Sequence, residues 1–219
     1  RGAGASYRGE WRQGVDDAAV RDGAKRCTKR GGISLPGRRR GGRAGSEQIG
    51  ETVLSRQGED MEIKKFGVVG AGQMGNGIAQ VAAMSGLDVL MSDIKEEFTE
   101  KGIATIEKNL GRSVEKGKLS EEERGNVLGR INTTTDMADM AGVDFVVEAA
   151  VEREDLKFGI FRELDRVCPP QAILATNTSS IPIGRIGAQT GRPDKVIGMH
   201  FMNPVPVMKL VEVIRGLAT

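Results

Sequence analysis

The sequence is poor in the residues from which metal sites and disulfide frameworks are built. Its 219 residues contain two cysteines, Cys27 and Cys168, and one histidine, His200. Two cysteines cannot make a disulfide framework, and one imidazole leaves too few ligands for a His-built zinc site. No apolar run approaches the roughly 20 residues of a membrane-spanning helix, which excludes a helical integral membrane protein. Aromatic residues are only 4% of the chain, and its single Trp and Tyr, Trp11 and Tyr7, both fall in the first sixty residues. A dominant charge is lacking too, at a net of +2, but that average conceals two different segments.

Residues 1–60 hold 11 Arg and 2 Lys against 8 acids, a net of +5, whereas residues 61–219 carry a net of −3. The first segment also has 13 of the 31 glycines and only seven Leu, Ile, Val or Phe residues. So few apolar groups cannot offset chain entropy, and the segment is expected to be a disordered Arg/Gly-rich leader. All nine methionines lie at Met61 or later, so residues 1–60 read best as translated GC-rich leader ahead of a start at Met61. A fragment of an organellar transit peptide fits the arginines but not the eight acids. A nucleic-acid arm is suggested by Arg38, Arg39, Arg40 and Arg43, but no aromatic residue interleaves them, and neither a nucleic-acid nor a membrane partner is expected.

From Met61 onward, short β-branched runs alternate with longer helical ones. The pattern predicts strands over 63–69, 88–92, 131–134, 145–148, 173–176, 196–199 and 208–214. It predicts helices over 74–85, 95–116, 120–128, 154–167 and 183–188. Alternation of this kind argues for an α/β domain, a mainly parallel sheet with helices on both faces.

The chemistry begins at the first strand–helix turn. Gly70-Ala71-Gly72-Gln73-Met74-Gly75 is a G-x-G-x-x-G sequence directly after a strand and at the opening of a helix. Gly70 allows the tight turn, Gly72 lets the backbone approach a pyrophosphate, and Gly75 lets helix and strand pack closely. Free N–H groups of the helix then face the phosphates. Asp93 follows the second strand, 18 residues beyond Gly75, where a carboxylate takes the adenosine ribose hydroxyls. Together these mark a Rossmann-type dinucleotide-binding domain. A carboxylate at Asp93 repels a 2′-phosphate, so NAD is expected over NADP, with Lys95 close by as the one opposing charge.

In such sheets ligands sit outside the carboxyl ends of the strands. Glu148, Glu152, Asn177, Thr178, Ser179, Ser180 and His200 all fall at that edge. For Ser179 and Ser180 the alternative is helix capping ahead of Pro182, and for Glu152 a favourable first-turn acid. Met208, Leu210, Glu212 and Ile214 alternate onto one face of the last strand, where an unpartnered carboxylate is costly. A histidine on the neighbouring strand supplies a partner, and such a pair suits general acid–base work.

Several long stretches resemble the 3-hydroxyacyl-CoA dehydrogenase family, at its bacterial 3-hydroxybutyryl-CoA dehydrogenase branch. They are residues 61–80 around the glycine turn, Val146–Glu152, Ala175–Ser180, Arg192–Phe201 and Asn203–Ile214. The resemblance covers residues 61–219 and none of 1–60. It implies NAD-dependent oxidation of a (3S)-3-hydroxyacyl-CoA to the 3-oxoacyl-CoA, or the reverse, in fatty acid or butanoate metabolism. It further implies His200 as general base, Glu212 as the carboxylate that orients it, and Ser179 and Asn203 as contacts to substrate oxygen and nicotinamide. Glu152 and Lys157 match further cofactor contacts, and Asn109 and Lys116 match positions that touch coenzyme A.

Two departures stand out. The family's His-Phe-Phe-Asn run reads His200-Phe201-Met202-Asn203, a volume-tolerant swap. The family's helical C-terminal domain, which supplies dimer contacts, is expected to be missing beyond Thr219, so a homo-oligomer is expected of the full-length family member only. A related β-hydroxyacid dehydrogenase acting on a free acid is a competing enzyme reading. A non-catalytic dinucleotide-binding protein, similar to crystallins that borrow this fold, is the competitor from another class. The family reading places the protein in the cytoplasm of a bacterium or the mitochondrial matrix of a eukaryote.

Overall fold

The structure, a computed structural model, describes residues 62–219. The leader expected over residues 1–60 lies outside the described residues.

Seven strands form one sheet: β1 (Lys65–Val69), β2 (Asp88–Ser92), β3 (Ile131–Thr134), β4 (Phe145–Glu148), β5 (Ile173–Thr176), β6 (Val196–Phe201) and β7 (Val211–Arg215). Their order is β3-β2-β1-β4-β5-β6-β7, parallel except for β7, which pairs antiparallel with β6. The helices are α1 (Gln73–Met84), α2 (Glu96–Glu115), α3 (Glu121–Gly129), α4 (Glu154–Val167) and α5 (Ile183–Gly187).

Strand periodicity divides the core. Val68, Val147 and Ala175 point into one apolar cluster with Ile78, Ala79, Ile106 and Leu110 of α1 and α2. Their neighbours Val69, Val146 and Leu174 point into a second cluster with Ile160, Phe161, Leu164 and Ile186 of α4 and α5. Strands buried on both faces read as near-continuous apolar runs, as these do.

The register aligns the strand ends. Val69 pairs with Ser92 on one side and Glu148 on the other, and Glu148 pairs with Thr176. Strand order reverses between β1 and β4, the position at which open α/β sheets make their ligand crevice.

Several boundaries differ from the sequence pattern. β1 begins at Lys65 rather than 63, and β6 runs on to Phe201 rather than ending at 199. β7 begins at Val211 rather than 208, because Pro204 and Pro206 hold the preceding segment in a turn closed by the Val207 and Met208 amides on the Pro204 carbonyl. A 3₁₀ turn over Met137–Gly142, absent from the pattern, starts where Asp136 accepts a hydrogen bond from the Ala138 amide.

Candidate active site

The glycine turn follows directly from side-chain size. Gly70 has φ +102°, and a Cβ there would lie 2.8 Å from the Ala149 carbonyl oxygen across the crevice. A Cβ on Gly75 would lie 1.7 Å from the Gly70 carbonyl oxygen, so α1 approaches β1 as only glycine permits. Ala79, Ala82 and Ala83 continue that small buried face.

Gly72 differs, since a Cβ there would meet nothing within 4 Å. It caps α1 with no side chain on the first-turn amides, and no acid stands in that turn. These amides have no partner within the helix, which leaves a partly positive, open cradle. Asp93 stands beside it, its two oxygens accepting from the Ala71 and Ile94 amides at 2.7 Å each. Burial pushes its carboxyl above the ordinary value, against the pull of those amides. Lys95 lies over the Phe98 ring at 5.6 Å. The open cradle, the bare helix terminus and the flanking carboxylate fit a dinucleotide.

Two cavities flank α1. One, of about 320 Å³, is lined by Met74, Glu152, Lys157, Asn177, Ser179, His200, Met202 and Asn203, among others. The other, of about 460 Å³, is lined by Gly72, Gln73, Asn76, Lys101, Thr105, Asn109 and the 203–206 turn. Asn203 borders both, and its Oδ1 accepts a hydrogen bond from Gln73 Nε2 at 3.3 Å. The turn sits directly on α1, since a Cβ on Gly77 would lie 2.8 Å from Val205. Asn109 thus reaches a cavity, donating to Gln80 Oε1 at 3.4 Å, whereas the exposed Lys116, two helical turns on, borders neither.

His200 and Glu212 are direct cross-strand neighbours on β6 and β7, with Nδ1 and Oε2 2.8 Å apart. The expected pair is therefore present, but the apolar face expected to enforce it is not. Glu212 is 51% exposed, and Met208, Leu210 and Ile214 are exposed as well, so no apolar face is buried there among the described residues. Register, rather than desolvation, brings the pair together.

Beneath the cavity lies a charged cluster that the pattern of residues only partly discloses. Glu148 is fully buried, and its Oε1 accepts from Lys157 Nζ and the Ala150 amide, both at 2.7 Å. Its Oε2 accepts from Thr176 Oγ1 at 2.7 Å. Burial raises its pKa, and Lys157 is the largest opposing influence. Lys157 Nζ also meets Glu152 Oε2 and the Ala150 carbonyl at 3.3 Å. Glu152 Oε1 accepts from the Thr178 hydroxyl and from Ser180 Oγ at 2.9 Å. Burial raises the Glu152 carboxyl, but these donors and Lys157 outweigh it and hold it below its ordinary value. Neither serine caps α5, whose N-cap is Pro182 with no side-chain bond. Ser179 instead borders the cavity, and Asn177 ties β5 to β6 by accepting from the Phe201 amide at 2.8 Å.

Residues 65–219 match the model of the 3-hydroxyacyl-CoA dehydrogenase NAD-binding domain. A probable 3-hydroxybutyryl-CoA dehydrogenase of Deinococcus radiodurans is 57% identical over 155 residues, covering 71% of this chain and 55% of that one. One of Bacillus subtilis is 55% identical, covering 73% and 55%. The crystal structure of (S)-3-hydroxybutyryl-CoA dehydrogenase from Ralstonia eutropha superposes with a TM-score of 0.71 at 49% identity, covering 72% of this chain and 56% of that one. The chain thus spans about half the length of the relatives it matches. It belongs to the 3-hydroxyacyl-CoA dehydrogenase family, of which it carries the NAD-binding domain.

Proposed function

We propose that this chain is the NAD-binding part of an enzyme that oxidises 3-hydroxyacyl-CoA, with 3-hydroxybutyryl-CoA as the substrate suggested by its relatives' names. The observation that carries this reading is the His200–Glu212 pair at 2.8 Å, on the wall of a cavity that also holds Ser179 and Asn203.

The chemistry follows from the pair. A carboxylate at Nδ1 fixes the tautomer with the proton there, so Nε2 keeps its lone pair. His200 Nε2 takes the proton of the C3 hydroxyl, and Glu212 stabilises the imidazolium that results. Ser179 and Asn203 hold the hydroxyl oxygen. NAD, when bound, supplies the hydride acceptor for C3. Gly70, Ala71, Gly72, Gln73, Met74 and Gly75 would hold its pyrophosphate and Asp93 its ribose, while Glu152 and Lys157 would shape the nicotinamide end. In the reverse direction His200 returns the proton. Coenzyme A enters from the larger cavity past Asn109, with Lys116 about 10 Å further along the same helix face for its outer phosphates.

A non-catalytic dinucleotide-binding role gives no reason for an imidazole and a carboxylate at this register. The test is consumption of NADH with acetoacetyl-CoA by the protein. His200→Gln should lower kcat by about 100-fold or more. Full activity in that variant would sink the mechanism.

A further inference from the structure

The buried cluster under the smaller cavity has an unbalanced charge. Lys157 is 1% exposed, and its three N–H donors meet three acceptors: Glu148 Oε1, Glu152 Oε2 and the Ala150 carbonyl. No donor is left for a ligand. Glu148 receives donors on both oxygens, from Lys157 and the Ala150 amide on one and from Thr176 on the other. The Thr176 hydroxyl itself accepts from the Thr178 amide at 3.3 Å, so its proton is turned toward Glu148. The Lys157 ammonium and the Ala150 amide, both at 2.7 Å from Oε1, favour the carboxylate form of Glu148 against the cost of its burial. Glu152 is likewise surrounded by donors. Two carboxylates therefore share one ammonium. Glu212, paired with His200 at 2.8 Å, is a further carboxylate nearby; it is unchanged in every variant below and drops out of the comparison.

We infer that Glu148, by neutralising Lys157 inside the fold, leaves Glu152 as an uncompensated negative charge on the cavity wall, and that this charge makes the site prefer the oxidised, cationic nicotinamide to the reduced, neutral one. This rests on the NAD-binding reading above. Glu148 touches no ligand and acts through Lys157, as a positioning residue. A single unit charge several ångströms away, at an effective dielectric near 20, is worth about tenfold or more in the relative affinity of a cation and its neutral counterpart.

The experiment is calorimetric titration of the full 219-residue chain with NAD⁺ and with NADH, near neutral pH. Glu152→Gln should raise the ratio Kd(NAD⁺)/Kd(NADH) about tenfold. Glu148→Gln should shift it the same way, because it too removes one negative charge from the cluster. Glu152 is partly exposed, so its variant keeps the test alive should the buried Glu148 variant fail to fold. Thr178→Val removes a Glu152 partner without changing the charge and should leave the ratio within about twofold. If Glu152→Gln weakens both ligands equally, the role is structural and the inference is overturned. If the unaltered chain binds neither nucleotide, the NAD-binding reading fails instead.

Discussion

Two glycines three residues apart should answer the same substitution in opposite ways. Gly75→Ala places a methyl 1.7 Å from the Gly70 carbonyl oxygen and 2.8 Å from its carbon, both backbone atoms. The closer contact must open to at least 3.0 Å, and no side chain can yield to allow it. Either the turn after β1 distorts or α1 lifts from the sheet, loosening Ala79 and Ala83, which are 0% and 2% exposed. Overpacking against backbone belongs at the upper end of the usual cost, about 3 kcal/mol. For a domain of this size that is roughly 6–12 °C in Tm. Gly72→Ala adds the same methyl where no atom lies within 4 Å, at an ordinary φ of −64°. Its stability cost should stay below about 1 kcal/mol. The methyl instead occupies the open cradle at the α1 N-terminus, and NADH affinity should fall by about tenfold or more. Circular dichroism melts suit the comparison, because residues 62–219 contain no Trp or Tyr. The reasoning is refuted if Gly75→Ala melts within about 3 °C of the parent. It is equally refuted if Gly72→Ala binds NADH unchanged.

Three further changes probe separate parts of the structure. Asp93→Asn removes the charge beside the cradle and should reduce the preference for NADH over NADPH by about tenfold, measured by titration with each. Arg192 binds Asp165 Oδ1 through Nε at 2.7 Å and also donates to the carbonyls of Asp165, Cys168 and Pro169, closing the end of α4. Its replacement by Ala strands those acceptors and should cost about 2–3 kcal/mol in a urea melt, with no change in nucleotide affinity once folded. The Lys65 and Lys64 amides hold the Asp144 carboxyl below its ordinary range. A depressed folded pKa adds stability above the ordinary value of about 3.9, and that stability is lost as pH falls through the lower folded value. The Tm deficit of Asp144→Asn should therefore be present near neutral pH and shrink in acid.

Much of the fold is legible in the order of residues, for identifiable reasons. β2 through β5 and α4 fall at the residues the pattern marks, because each is a short apolar run or a clean helical stripe bounded by breakers. β7 is harder to delimit, since Met208 and Leu210 continue its alternation while the prolines before them hold a turn. Spacing alone discloses the glycine turn and the place of His200 at a strand end. The role of Glu148 is not disclosed in that way, although a signal exists. In α4, Lys157 stands in one helical stripe with Ile160, Phe161 and Leu164, all buried. A lysine in a core stripe demands a buried anion, and Glu148, ending an otherwise apolar strand, is the one nine residues earlier.

That pairing explains why the site has its acids where it does. A parallel sheet brings β1, β4 and β5 to a common edge at Val69, Glu148 and Thr176, and any polar group there must find partners within the fold. Glu148 finds Lys157 and Thr176, which uses the lysine's charge and frees Glu152 to face the cavity. The antiparallel turn into β7 then adds what the parallel strands do not supply. It sets Glu212 directly opposite His200, so the imidazole is oriented from a neighbouring strand rather than from the crowded edge. The buried acid settles charge inside the fold, and the half-exposed one orients an imidazole. Exchanging their environments would undo both, since an exposed Glu148 could not hold Lys157, and a buried Glu212 without a cation would lose its charge.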